Sequence, residues 1–259
     1  MKKVFLLVAF ILFLPLHATG SELSEIPFGP GEKLTYKLYW TFIHAGDAVL
    51  EVMPDTMEKG VPARHFRATA KTLPWVDGFY KVRDTIDSWT NMDVTHSLRY
   101  KKDQNEGSYH KKVDLVFNKK ADISVRWARG KLQHIIQQPK DALDPMAILF
   151  SFRRIPLHEG MEFGANVTDG KKTVVGEASV VKVEDVETPM GIIRAYQVNM
   201  DIKHLSGVFK KSKNAELMVW FSADERRIPV KVKSKVAVGY FTLELVKYQP
   251  SPSLIGRDP

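Results

Sequence analysis

The run from Leu217 to Tyr248 constrains the fold of this chain more than any other stretch. Val230, Val232, Val236 and Val238 alternate with Lys231, Lys233 and Lys235. Side chains on a strand point to opposite faces with a period of two, so this pattern puts a valine row on a core and a lysine row in water. Upstream, Leu217, Val219 and Phe221 alternate with Met218, Trp220 and Ser222, and the polar run 223–227 between the two segments reads as a hairpin turn. Pro229 cannot donate to a ladder and belongs at a strand start or an edge. Gly239 marks a bend or bulge before a third run, Phe241, Leu243 and Leu245. The expected unit is an antiparallel meander, apolar on one face and cationic on the other.

The same alternation recurs along the chain. Leu34, Tyr36, Leu38 and Trp40 oppose Thr35, Lys37, Tyr39 and Thr41, and Ala48, Leu50 and Val52 continue the pattern. Residues 32–53 therefore read as a hairpin turning at 44–47, with His44 as a polar loop residue, followed by a polar connection over 53–60. Further strands are expected over 61–71, 80–90, 94–102, 108–118, 123–129, 161–168, 172–187 and 191–203. Turns are expected at 101–107, 169–170 and 188–191. Residues 204–214 read as a basic loop. The tail after Tyr248 is expected not to pack.

One segment breaks the β pattern convincingly. Asp141 to Arg154 reads as a helix, with Asp144 as N-cap and Pro145 at the first helical position. Met146 to Phe152 is apolar nearly all round, so this helix should be buried. Arg153 and Arg154 fall at its C-terminal end, where cations complement the helix dipole, and Ile155-Pro156 ends it. The expected fold class is mainly β: a strongly curved antiparallel sheet or half-open β-barrel with one buried helix over about 144–154. Its expected divisions are a signal peptide (1–20), a linker (21–31), a single β-rich domain (32–248) and a flexible tail (249–259).

The first twenty residues carry an address. Lys2 and Lys3 precede a continuous apolar run from Val4 to Leu14, Pro15 ends it, and Ala18-Thr19-Gly20 offers small residues for cleavage. This is the pattern of a secretory signal, and the run falls short of the about 20 apolar residues that a membrane span needs. An uncleaved anchor is the competing reading. With no cysteine in 259 residues, the chain offers no disulfide, no thiolate ligand and no lipidated N-terminal cysteine. It must hold itself by core burial, for which its length suffices. The expected location is the periplasm, as a protein that is not a lipoprotein.

The formal charge is +8, and +6 without Lys2 and Lys3, which leaves 36 basic against 30 acidic residues. An exported protein meets anionic lipids and glycans rather than nucleic acid, so no nucleic-acid partner is expected and an anionic membrane surface is. The lysines at 111–112 and 119–120 also fit solvated edges that block strand-to-strand association.

Three features bear on a site. Leu73, Trp75, Val76 and Phe79 are apolar for a loop interrupted by Pro74, which fits either a cap on the core or a ligand gate. Asp84 falls on the apolar face of its strand with Tyr80, Val82 and Ile86. A buried carboxylate needs a partner, so Asp84 is a polar fixture in a cavity, half of an ion pair, or turned outward by a bulge. The helix supplies Met146, Leu149 and Phe150. The candidate ligand-binding set is therefore Trp75, Phe79, Asp84, Met146, Leu149 and Phe150. No catalytic residue, metal site or cofactor is expected: GxSxG, HExxH, P-loop and GxGxxG are absent, and the histidines have no ligand-pair spacing.

Several stretches together resemble the exported bacterial proteins grouped as the domain of unknown function 3108 family. They are GEKLTYKLYW followed by HAGDAVLEV, YKVRDTIDSW, the EGSYH turn, DPMAILFSFRRIPLHEG and VWFSADERRIPVKVKSKVAVGYFTLEL. The resemblance covers nearly all of the chain after the leader and implies a periplasmic β fold. It carries no catalytic or binding residues across. The functional expectation is a non-enzymatic periplasmic protein that binds a hydrophobic or amphipathic cell-envelope molecule. The alternatives are an assembly partner binding protein or glycan by a sheet edge, and an envelope glycan or lipid hydrolase.

Overall fold

A computed structural model describes residues 25–201, 217–235 and 239–255. The leader, the basic loop at 204–214, and Val236 and Val238 lie outside these residues. The elements in chain order are β1 (Lys33–Trp40), β2 (Ile43–Glu58), β3 (Val61–Thr72), α1 (Pro74–Asp77), β4 (Arg83–Thr90), β5 (Ser97–Glu106), β6 (Tyr109–Asn118), β7 (Ile123–Ala128), β8 (Lys131–Gln137), α2 (Ala147–Phe152), β9 (Glu162–Thr168), β10 (Thr173–Thr188), β11 (Gly191–Asp201), β12 (Leu217–Ser222), β13 (Pro229–Lys235) and β14 (Tyr240–Gln249).

Among the described residues the strands form one antiparallel sheet of 14 strands in the order β8-β7-β6-β5-β4-β3-β2-β1-β14-β13-β12-β11-β10-β9. Every neighbour is a sequence neighbour except β1 and β14, which join the two arms. Among the described residues β8 and β9 are the edges and do not pair with each other, so the barrel is half open. The chain between those edges, 138–161, folds into the concavity. Its Leu143 covers part of the β9 edge, donating to Asn166 O (2.8 Å) and accepting from Thr168 N (2.9 Å).

The expected alternation holds in part: Trp220 and Ser222, on the face opposite Val219 and Phe221, are buried too, and Val232 is half-buried like its lysine neighbours. Leu34 and Tyr36 are 1% and 3% exposed, Val219, Phe221 and Val230 are buried, and Lys231 and Lys233 are half-buried. The turn before Pro229 is present, Pro229 opens β13, and Gly239 has a left-handed φ of 78°. On the convex face charges pair across strands, as in Arg99 with Asp114 (2.7 Å) and Lys231 with Glu244 (2.9 Å).

Several boundaries differ from expectation. The first hairpin turns at Thr41-Phe42, not at 44–47, and His44 lies within β2. Gly46 sits where a Cβ would come 2.4 Å from Lys71 O, so here glycine serves close strand approach rather than a turn. β2 continues through the supposed connection at 53–60, because a polar segment with a partner strand still forms a ladder. β5 likewise runs on to Glu106, with its turn at Gly107. β8 had no alternating signature. The described parts of the supposed linker and tail, 25–31 and 249–255, pack: Phe28 is 2% exposed inside the core, and buried Ser251 donates to Pro30 O (2.8 Å) before a 3-10 turn at Pro252–Leu254.

The helix is real but shorter than the expected 144–154. Residues 144–146 form a turn in which Asp144 Oδ1 accepts from the N–H of Met146 (2.9 Å) and Ala147 (3.0 Å). After Phe152 the backbone tightens to i→i+3 bonds at Arg154 and Ile155. Ala147, Phe150 and Phe152 are buried. Phe150 stacks on Phe66 at 3.7 Å and meets Phe28 edge-on. Phe152 faces the other arm, against Phe163 and Phe221. One short helix thus anchors both arms of the sheet.

Candidate functional site

The space between sheet and helix is not filled. A cavity of about 350 Å³ lies between α2 and the inner faces of β1–β5, β13 and β14. Its origin is legible in side-chain size. Inward positions of β2 and β3 carry Ala48, Ala68 and Ala70, with Ala48 paired to Ala70 and Leu50 to Ala68. Short side chains there do not span the distance to the helix. Pro145, Met146 and Leu149 form the floor, and Leu38, Ile86 and Leu243 are among the apolar walls.

Among the described residues, Asp84 is the one ionisable carboxyl in that lining. It sits opposite Ala70, one residue into β4, near the end of the sheet where β3 and β4 meet. It accepts the N–H of Asn105 at 2.8 Å. Burial raises its pKa to about 6, the Asn105 amide opposing and the neighbouring Glu106 reinforcing the shift. Beyond it, Lys102 pairs with the inward Ile86 position. Burial, with Lys111 and Arg126 nearby, holds the Lys102 pKa below the ordinary value. The cavity is therefore apolar at the helix and polar at one end. Tyr36 closes the deep side, its buried hydroxyl donating to Pro229 O (2.8 Å).

Beneath the floor, Asp144 is fully buried. Its Oδ2 accepts from Ser88 Oγ and Ser97 Oγ, each at 2.6 Å. Burial raises its pKa despite these bonds and the two backbone bonds at Oδ1. Arg153 is buried with Glu32 and donates to Arg226 O as well. Both groups fix the helix to the sheet rather than face the cavity.

The six expected site residues are separated by the structure. Asp84, Met146 and Leu149 line the cavity. Phe150 lies in the core behind the floor, 0% exposed. Trp75 and Phe79 are 53% and 87% exposed on the β3–β4 connection, at the end of the sheet next to Asp84 but outside the lining. Sequence reasoning missed Tyr36 and the alanine row as cavity residues; inward alanines at period two were the available signal. Among the described residues no group of three or more His, Asp or Glu could hold a metal ion, and no helix is long and apolar enough to cross a membrane.

A family model for proteins of unknown function, DUF3108, matches residues 35–246. The chain belongs to the DUF3108 family. No curated protein matches it significantly. Among solved structures, this DUF3108 chain is similar to a β-barrel-like protein of the DUF1849 family from Brucella abortus. The likeness has a TM-score of 0.54 at 12% identity and covers 85% of this chain and 98% of that one. It shows a shared barrel-like fold. A protein from Bacteroides fragilis described as exported, with a YmcC-like fold, gives a TM-score of 0.38 at 11% identity over 86% of this chain and 98% of that one. A protein from Parabacteroides distasonis described as a lipoprotein gives 0.35 at 14%, over 87% and 99%.

Proposed function

We propose that this protein is a non-enzymatic carrier of the cell envelope that holds the apolar part of an amphipathic molecule between its sheet and α2. The observation that carries the reading is the cavity itself, about 350 Å³, apolar on its floor and walls with Asp84 at one end. That size lies within the range of about 300–1,000 Å³ that small-molecule sites occupy, and such sites are mostly apolar with few polar groups. The polar head of the ligand would sit toward Asp84 and Lys102. Export past the inner membrane is part of the proposal, supported by Lys2, Lys3 and the apolar run Val4 to Leu14.

The test is native mass spectrometry of the protein purified from envelope membranes, together with displacement of a fluorescent fatty-acid probe. A copurifying amphiphile, and probe binding that Leu149→Trp abolishes, is the expected result. Absence of any copurifying amphiphile together with absence of probe binding would overturn the reading.

A second reading has its own observation. β8 is a seven-residue edge strand whose Leu132 and Ile135 are 55% and 58% exposed. An unpaired edge with apolar side chains can take an extended segment of another protein as an added strand. Pull-down of an envelope protein that Ile135→Lys abolishes would support it over the carrier.

A further inference from the structure

We infer that the hairpin end of the barrel next to Asp84 docks on an anionic lipid bilayer. The strand order brings the tips of the β1–β2, β3–β4, β5–β6 and β13–β14 hairpins to one end of the sheet, side by side. The tips touch. A Cβ at Gly107 would lie 2.9 Å from the ring of Tyr80, and one at Gly239 would lie 2.6 Å from Thr41 and 3.3 Å from the indole of Trp40. This rim is aromatic and exposed. Phe42 and Phe79 are 83% and 87% exposed, and Trp40, Trp75, Tyr80 and Phe241 are 40–53% exposed.

The rings are presented on a fixed frame. Asp77 accepts from Thr72 Oγ1 (2.5 Å) and from Arg83 Nη2 (2.5 Å), while Thr72 Oγ1 accepts the N–H of Val82 (2.9 Å). That network clamps α1 onto the strand ends and so holds Trp75 and Phe79 outward. Its charges also cancel, since Arg83 neutralises Asp77. Asp47 Oδ1 lies 3.2 Å from His44 Nε2, and on the convex face Glu244 pairs with Lys231 (2.9 Å). Lys71 and Lys81 stand exposed at the strand ends, and Lys233 lies 4.4 Å over the ring of Tyr240. Glu106 at the β5–β6 tip and Asp84 add carboxylates at the same end, so the rim is aromatic and flanked by the exposed Lys71 and Lys81 beside an acidic pair.

Aromatic side chains flanked by lysines are what the interface of an anionic bilayer accommodates, rings at the headgroup level and ammonium groups on phosphates. The geometry favours lipid over a folded partner. The six exposed rings come from three adjacent hairpin tips at one end of the sheet, the fringe that anchors a protein at headgroup level. The inference stands without the carrier reading. If both hold, the cavity faces the lipid from which its ligand would come.

The chain has no cysteine, so a single thiol reports position. Phe79→Cys and, at the opposite end, Lys59→Cys would each carry an environment-sensitive fluorophore. The label at 79 is expected to shift to the blue with phosphatidylglycerol-containing vesicles, while the label at 59 does not. Co-sedimentation with those vesicles should weaken about tenfold in the double variant Phe42→Ser/Phe79→Ser, and should fall with added salt and in Lys71→Glu/Lys81→Glu. Unchanged near-ultraviolet circular dichroism would establish that these variants fold. Leu149→Trp should leave vesicle binding intact, which separates this result from the cavity test. Failure to sediment with anionic vesicles, equal binding to phosphatidylcholine alone, or equal shifts from both labels would overturn the inference.

Discussion

Arg153 and Glu32 face each other through two hydrogen bonds, 2.5 and 3.1 Å, with side chains 0% and 1% exposed. The pair ties the end of α2 to the residue just before β1. Removing one partner of a buried pair strands the other charge and costs about 3–5 kcal/mol. Glu32→Ala is expected to lower unfolding stability by that amount in a urea titration. Glu32→Leu with Arg153→Met should recover much of it, because the stranded charge is gone. A loss below about 1 kcal/mol, the value of an exposed pair, would contradict a dry, closed pair.

Phe150 and Phe79 offer a contrast in one chemistry. Phe150 is 0% exposed and stacked on Phe66, whereas Phe79 is 87% exposed. Phe150→Ala should destabilise by about 3–5 kcal/mol, as large-to-small core changes do. Phe79→Ser should fall within about 0.5 kcal/mol of wild type. Denaturant midpoints of the two variants check both values.

Asp84 predicts a pH dependence. Its folded pKa of about 6 lies above its ordinary value of 3.8, so the folded state holds the proton more tightly. Its contribution to stability is therefore full below about pH 4 and is lost as pH rises through 6. Asp84→Asn should match wild type in melting temperature near pH 4 and exceed it progressively up to about pH 6.5, with a plateau beyond. A difference that does not change across this window would contradict the buried placement.

Gly170 joins the arms. Its φ is 80°, and a Cβ there would lie 2.6 Å from Leu115 Cδ1 and 2.9 Å from Arg126 Cδ. The turn after β9 thus lies against β6 and β7 across the concavity, where Arg126 Nε donates to Asp169 O (3.2 Å). Gly170→Val combines backbone strain with a clash and should cost about 1–3 kcal/mol. A thermal melt showing no loss would mean that the arms are not in contact there.

How much of this was legible differs by feature. Val230 against Lys231 gave the strand and its buried side, since period-two patterning depends on one strand alone. Asp84 stood on an apolar face for the same reason, but whether it lined a cavity, paired with a cation or turned outward at a bulge could not be read from one strand. Glu32 did not stand out, because it follows a Pro- and Gly-rich run and its partner lies 121 residues away. The alanines at 48, 68 and 70 read as ordinary inward positions until register placed Ala48 beside Ala70. β8 carries no alternation because it is an edge exposed on both faces, with six of its seven residues exposed and one half-buried. Short-range pattern revealed faces; depth and adjacency came from pairing between distant segments.

The docking of Ser251 on Pro30 has a practical consequence. β1 begins and β14 ends at the same extremity of the sheet, the one away from the aromatic hairpin tips. Both ends of the described chain therefore emerge on the far side from the opening beside Asp84. A reporter or an immobilising tether fused at either end would leave that opening unobstructed.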